Sequence, residues 1–138
     1  MDEDEARHRF AAGRVARLAT VDGNGRPRVV PCCFVLEGDR VYSAVDEKPK
    51  RSPDLARLHD IAANPNVTLV VDHYEEDWDE VWWARVRGRA RMAGDDEAER
   101  AKGLLRAKYP QYEDHQLARV TVVDVTEVRG WAARRAPG

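Results

Sequence analysis

The chain has 138 residues, with 23 Lys plus Arg against 25 Asp plus Glu and a formal net charge of −2. That is one domain of ordinary size with enough chain for a real core, and the balanced charge excludes a general nucleic-acid or membrane binder while leaving room for a local basic patch. No apolar run approaches the roughly 20 residues of a membrane helix, and the acidic start Met1-Asp2-Glu3-Asp4-Glu5 does not read as a signal peptide, so a cytoplasmic protein is expected.

In chain order, Asp2 to Ala12 reads as a short polar helix ending near Gly13, with residues 1–6 and 134–138 as flexible ends of the single domain. Val15 to Val21 reads as a strand, and Asp22-Gly23-Asn24-Gly25 is hairpin chemistry because Asn and Gly tolerate positive φ. Val29 to Leu36 is nearly all apolar, which predicts a strand buried on both faces. Its neighbours Cys32 and Cys33 make no disulfide framework and read as inert packing. Glu37-Gly38-Asp39 turns the chain into a strand from Arg40 to Val45. A helix from Ser52 to Ala63 carries Leu55, Leu58 and Ile61 on one face and stops at Asn64-Pro65. Val67 to Tyr74 and Val81 to Ala93 are strands around an acidic loop. Asp95 to Lys108 is a helix, acidic at its start and basic at its end, and Val120 to Trp131 is the last strand. Six strands joined mainly by hairpins predict an α+β, mainly antiparallel, split or closed barrel with two to three helices. No Gly-x-Gly-x-x-Gly follows a strand, which argues against a doubly wound dinucleotide fold.

The segment from Val45 to Pro53 is the best pointer to function. Lys48, Lys50 and Arg51 stand between a strand and a helix that Ser52 can cap and Pro53 can open. Free amides and a partial positive charge at a helix start suit a phosphate, and three cations add to it. The alternative is a solvated loop.

On the long strand, Arg85, Arg87, Arg89 and Arg91 alternate with Val86, Gly88, Ala90 and Met92, so the arginines form one stripe roughly 20 Å long. A solvated face paired with neighbouring carboxylates accounts for at least two of the four. A track for an extended anion is the other reading. Adjacent Trp82 and Trp83 must face opposite sides, so one fills the barrel and the other needs a helix or second subunit over it. Trp78 and Trp131, near strand ends, suit stacking on a planar ring as well as packing. Catalytic constellations are poor. The histidines are scattered without ligand spacing, no metal site is expected, and His73 at a strand end is the one histidine placed near a site. That poverty fits a protein in which a cofactor does the chemistry.

The hairpin from Arg17 to Phe34, the cationic Lys48 to Arg51, and the helix end Asn64 to Val67 together resemble the split β-barrel flavin and deazaflavin proteins, the pyridoxamine 5′-phosphate oxidase group. Asp72 to Trp78, Trp82 to Ala90, Lys108 to Tyr112 and Gly130-Trp131 resemble an actinobacterial branch that uses coenzyme F420. The chain lacks the C-terminal His with which the oxidases hold substrate, so vitamin B6 oxidation is not expected. The resemblance implies a homodimer with cofactor at the subunit interface. It also implies an F420-dependent oxidoreductase moving a hydride to or from an unsaturated small molecule, while the charge balance and the apolar runs leave no nucleic-acid or membrane partner expected. An FMN-dependent oxidase and a non-catalytic F420 or haem carrier stay open. The expected site has Lys48, Lys50, Arg51 and Ser52 on the phosphate, and Thr20, Pro31 and Cys32 behind the ring through backbone groups. Trp78 or Trp131 closes over the ring, and Arg85 and Arg87 hold the anionic tail.

Overall fold

The computed structural model describes residues 1–46 and 53–134, so Lys48, Lys50, Arg51 and Ser52 lie outside the described residues. Asp2 starts the fold: its side chain accepts the Glu5 N–H at 2.8 Å and caps helix α1 (Glu3–Ala12). The helix therefore begins within residues 1–6, read from sequence as a flexible end. It is held there because Ala6 and Phe10 are fully buried. The strands are β1 (Ala16–Val21), β2 (Pro27–Cys32), β3 (Val35–Glu37), β4 (Arg40–Asp46), β5 (Asn66–His73), β6 (Trp82–Met92) and β7 (Leu117–Ala132). Helix α2 (Pro53–Ala63) precedes β5 and helix α3 (Asp95–Lys108) precedes β7, with short 3-10 turns at Trp78–Glu80 and Pro110–Tyr112.

The hairpin between β1 and β2 forms as its residues dictate. Asp22 Oδ1 accepts the N–H groups of Asn24 and Arg26 at 2.8 and 2.9 Å, and Gly25 takes a φ of +80°, which glycine adopts without strain. All strands pair antiparallel in the order β2-β1-β5-β6-β7-β4-β3. The two edge strands, β2 and β3, are separated in the chain only by Cys33 and Phe34. The sheet must therefore curl until its edges meet, which makes it a split barrel.

Among the described residues, seven strands replace the six read from sequence because the apolar run Val29 to Leu36 is cut at Cys33-Phe34, where the chain leaves β1 for β4. Tyr109 serves the backbone at the break. Its oxygen accepts the Phe34 N–H at 3.1 Å, and its hydroxyl hydrogen has the carbonyls of Arg14 and Phe34 within 2.9 and 3.0 Å. Inside the barrel, Phe10 from α1 meets Phe34 with ring centroids 4.7 Å apart, among Leu18, Leu69 and Val86. A second core forms outside, where Ala101 and Leu105 of α3 cover Tyr42, Val120 and Val122 of β4 and β7. Among the described residues no helix covers the outer face of β2, β1 and β5, where Val29 stays exposed, and Trp131 on β7 is exposed beside Trp83 of β6.

Candidate functional site

Strand alternation builds the site. Ala84, Val86 and Gly88 point into the barrel, so Trp83, Arg85, Arg87 and Arg89 point out. The register sets Trp83 beside Trp131, Arg85 beside Arg129 and Arg87 beside Glu127. Three guanidinium groups thus share one carboxylate: Glu127 Oε1 lies 3.6 Å from Arg85, 3.8 Å from Arg87 and 3.2 Å from Arg129. Arg85 also lies over the Trp83 ring, 5.2 Å from its centroid. Arg85 Nε and Glu127 Oε1 are buried and make no hydrogen bond among the described residues. A groove of about 620 Å³ runs beside this cluster, lined by Trp83, Glu127, Arg129 and Trp131 together with Met1 and Glu3. The three guanidinium groups around one carboxylate, with the Trp83 and Trp131 indoles beside them, suit an anion joined to a flat ring.

The far end of the stripe does a different job. Arg91 donates from Nε to Asp124 and from Nη1 to Glu97, both at 2.7 Å, and Arg40 adds a third contact to Glu97 at 2.9 Å. The Glu97 and Asp124 hydrogen bonds raise Arg91 well above its ordinary pKa, and the same pairing, led by Arg91, lowers that of Glu97. This network ties α3 to the sheet. Between the two regions the pairing of β6 with β7 slips at Arg87 and Gly88. A Cβ on Gly88 would collide with the Asp124 carbonyl, so only glycine fits there.

The residues expected behind the ring divide between the faces. Pro31 is on the outer face with Arg85, Arg87 and Trp131, whereas Thr20 and Cys32 are buried on the inner one. The Thr20 hydroxyl donates to Asp60 Oδ2 at 2.7 Å, and Arg28 Nε donates to the same oxygen at 2.8 Å. These bonds, Arg28 first, hold the Asp60 carboxyl below the usual carboxylate range despite its burial. Helix α2 thereby grips the first hairpin just beyond the cationic segment. Sequence reading missed Asp60, Arg28 and the buried Arg57; the available signal was a charge at Asp60 directly beside Ile61 on the apolar stripe.

The two adjacent tryptophans separate as alternation requires. Trp82 packs against the inner core under Arg9, whose guanidinium is 5.1 Å from its ring centroid. Trp83 faces out, half-buried. Trp78 stands on the 3-10 turn between β5 and β6, 76% exposed. His73 is at the end of β5, its Nε2 2.6 Å from Glu75 Oε1 and its ring stacked on Trp82. Lys108 ends α3 with Nζ bonded to the Ala11 carbonyl at 3.2 Å and 3.8 Å from the Phe34 ring centroid. Burial, helped by Arg14, pushes its ammonium down to about 8.

Comparison with known proteins agrees with this architecture. A conserved protein of unknown function from Corynebacterium diphtheriae superposes with a TM-score of 0.70 at 25% identity, over 96% of this chain and 94% of that one. A FAD-binding protein from Mesorhizobium loti gives 0.66 at 21% identity, over 94% of each chain. The haem storage protein of Vibrio cholerae gives 0.68 at 15% identity, over 94% and 93%. No curated protein matches the chain. The family model described as pyridoxamine 5′-phosphate oxidase matches residues 2–132, nearly the whole length, and the chain belongs to that family.

Proposed function

We propose that this protein is an F420-dependent oxidoreductase that works as a cytoplasmic homodimer, moving a hydride between reduced F420 and an unsaturated small molecule such as an enone. The observation that carries the reading is the convergence of Arg85, Arg87 and Arg129 on the single carboxylate of Glu127, beside the Trp83 and Trp131 indoles. Coenzyme F420 carries a phosphodiester and a tail of glutamates, which arginine binds bidentately. The unused Arg85 Nε is a donor such an anion would satisfy. The fit is therefore good on residues of this chain.

When bound, F420 supplies the hydride. Arg85, Arg87 and Arg129 hold the tail, and Lys48, Lys50 and Arg51, with the amide of Ser52, hold the phosphate. Strand β2 is at a sheet edge, so the backbone groups it does not share with β1 are available to back the ring. The Thr20 hydroxyl is spent on Asp60, which leaves its strand to act through the main chain. Trp131, or Trp78 of the second copy, closes over the ring and excludes water.

Two other readings have support. FMN is favoured by a FAD-binding relative of the same fold, but a single phosphate would need fewer arginines than the outer face presents. A haem carrier is favoured by the haem storage protein, and His73 is the histidine to ligate iron, at the cost of its bond to Glu75.

The test is titration of the purified protein with F420 and with FMN, followed by fluorescence, then oxidation of reduced F420 against a panel of enones. Tight F420 binding with turnover supports the proposal. Binding without turnover on a broad panel points to the carrier, and yellow protein retaining FMN on purification points to the oxidase.

A further inference from the structure

Arg85, Arg87 and Arg129 surround a carboxylate that does not satisfy them. Glu127 Oε1 lies 3.6, 3.8 and 3.2 Å from the three, yet it accepts no hydrogen bond among the described residues, and Arg85 Nε donates none. Both atoms are buried, so solvent does not relieve the shortfall. The other end of β6 is different: there Arg91 donates to Asp124 and to Glu97 at 2.7 Å each. That pairing is closed, and the one at Glu127 is loose. The cause is local. The register of β6 on β7 slips between Arg87 and Gly88, which leaves Thr126 as an extra residue, its hydroxyl donating to the Arg87 carbonyl at 3.2 Å. The slip sets Glu127 directly across from Arg87, among guanidinium groups it approaches without hydrogen-bond geometry to any.

Three cations fixed on two paired strands, around a group that fits them poorly, describe an anion site with a resident occupant. Glu127 can leave without moving the sheet. Its side chain is 33% exposed, and rotation about its own bonds carries it out toward solvent. We infer that Glu127 is a displaceable stand-in for the acidic group of the ligand, which an entering anion must push out of the arginine cluster. A ligand with one carboxylate exchanges like for like and gains only the bond to Arg85 Nε. A ligand with several acidic groups has others left to engage Arg87 and Arg129 after the exchange, so the cluster is built to admit polyanions and turn single carboxylates away. The inference rests on the proposed reading of this cluster as the seat of the F420 tail and adds how that seat is vacated.

Glu127→Gln tests it, because the amide keeps the shape and removes the charge. Dissociation constants for F420 are measured by fluorescence and for free triglutamate by calorimetry, on wild type and variant, with melting temperatures of the ligand-free proteins. Three partly exposed ion pairs no longer compete with the ligand, so both ligands are expected to bind the variant about 10-fold more tightly. The gain should vanish when Arg85→Ala and Arg129→Ala are added to Glu127→Gln, since the carboxylate acts through those groups. If Glu127→Gln lowers the melting temperature, Glu127→Thr, neutral and suited to a strand, gives the same readout. Unchanged or weaker binding of both ligands by the variant overturns the inference, and F420 binding by wild type then leaves the cofactor reading standing. If neither protein binds F420, that reading fails and triglutamate still decides: tighter binding by the variant upholds the stand-in, and equal binding overturns it.

Discussion

The Thr20 hydroxyl and the Asp60 carboxylate are joined by a 2.7 Å hydrogen bond that fastens the first strand to the second helix. Arg28 completes the arrangement from β2, so one nearly buried oxygen anchors both strands of the hairpin. Asp60→Asn removes the charge and keeps the shape. It should cost about 2–3 kcal/mol, because Arg28 loses its counter-charge and the donors at that oxygen are weakened. Denaturant titration at neutral pH gives the value. The Asp60 carboxyl is lowered in the fold, so its contribution is present above the unfolded carboxylate range and fades as pH falls through the folded value. The variant should accordingly lose less stability than wild type on acidification, and parallel acid titrations that superpose after scaling would refute the linkage.

Tyr109 is the second pin. Tyr109→Phe leaves the buried Phe34 N–H without the acceptor it has at 3.1 Å. A loss of about 1–3 kcal/mol is expected, the range for an orphaned buried donor. Hydrogen exchange at the Phe34 amide should accelerate more than exchange in β6. Equal acceleration at both would mean the variant had merely destabilised the whole domain.

Much of this molecule could be read from local pattern, and what could not be read has a common cause. The hairpin at Asp22 to Gly25, the arginine alternation on β6 and helix α3 each follow from residues close in sequence, and each formed as expected. The break at Cys33-Phe34 was invisible because its own two residues are apolar, and Pro31 just before it is accommodated within β2. The phenol that serves its backbone comes from 75 residues away. Likewise Arg129 and Glu127 went unnoticed beside Arg85 and Arg87, since their meeting depends on a register that includes a slip at Gly88. Helix α2 misled for a third reason: its stripe of Leu55, Leu58 and Ile61 concealed that Arg57 and Asp60 are the buried charges.

Lys108 should give the fold an alkaline dependence of unusual sign. Its ammonium is pushed down to about 8 by burial, below the ordinary lysine value near 10.5. Between those values the unfolded chain binds the proton more tightly, so this lysine makes stability rise with pH across that window; below it the penalty is present in full. Half-exposure screens the effect to on the order of 1 kcal/mol. Lys108→Met should abolish the rise, as thermal melts at pH 8 and pH 10 would reveal. A rise of the same size in the variant would assign it to other groups.

The cofactor assignment predicts graded losses of affinity. Each charge-assisted phosphate or carboxylate contact contributes roughly 1.5–3 kcal/mol, or about 10- to 150-fold in dissociation constant. Arg85→Ala, Arg129→Ala, Lys50→Ala and Arg51→Ala should each weaken F420 binding within that range. Arg91→Ala should instead lower the melting temperature, because Arg91 is committed to Glu97 and Asp124. Unchanged affinity in both Lys50→Ala and Arg51→Ala would remove the phosphate from that segment. Unchanged affinity in Arg85→Ala and Arg129→Ala would remove the tail from the outer face.

The two residues between β2 and β3 also govern how the chain can come apart. Hairpins β1-β2 and β3-β4 are local and joined by that short hinge, yet they occupy opposite margins of the sheet. Neither can settle until β5 receives β1 and β7 receives β4, pairings that close long loops. Because the hinge is too short to let one margin dock while the other drifts, both closures must occur in nearly the same event. Folding should therefore be slow and highly cooperative, and a flexible glycine-rich insertion between Cys33 and Phe34 would uncouple the margins and let the sheet fray from one side.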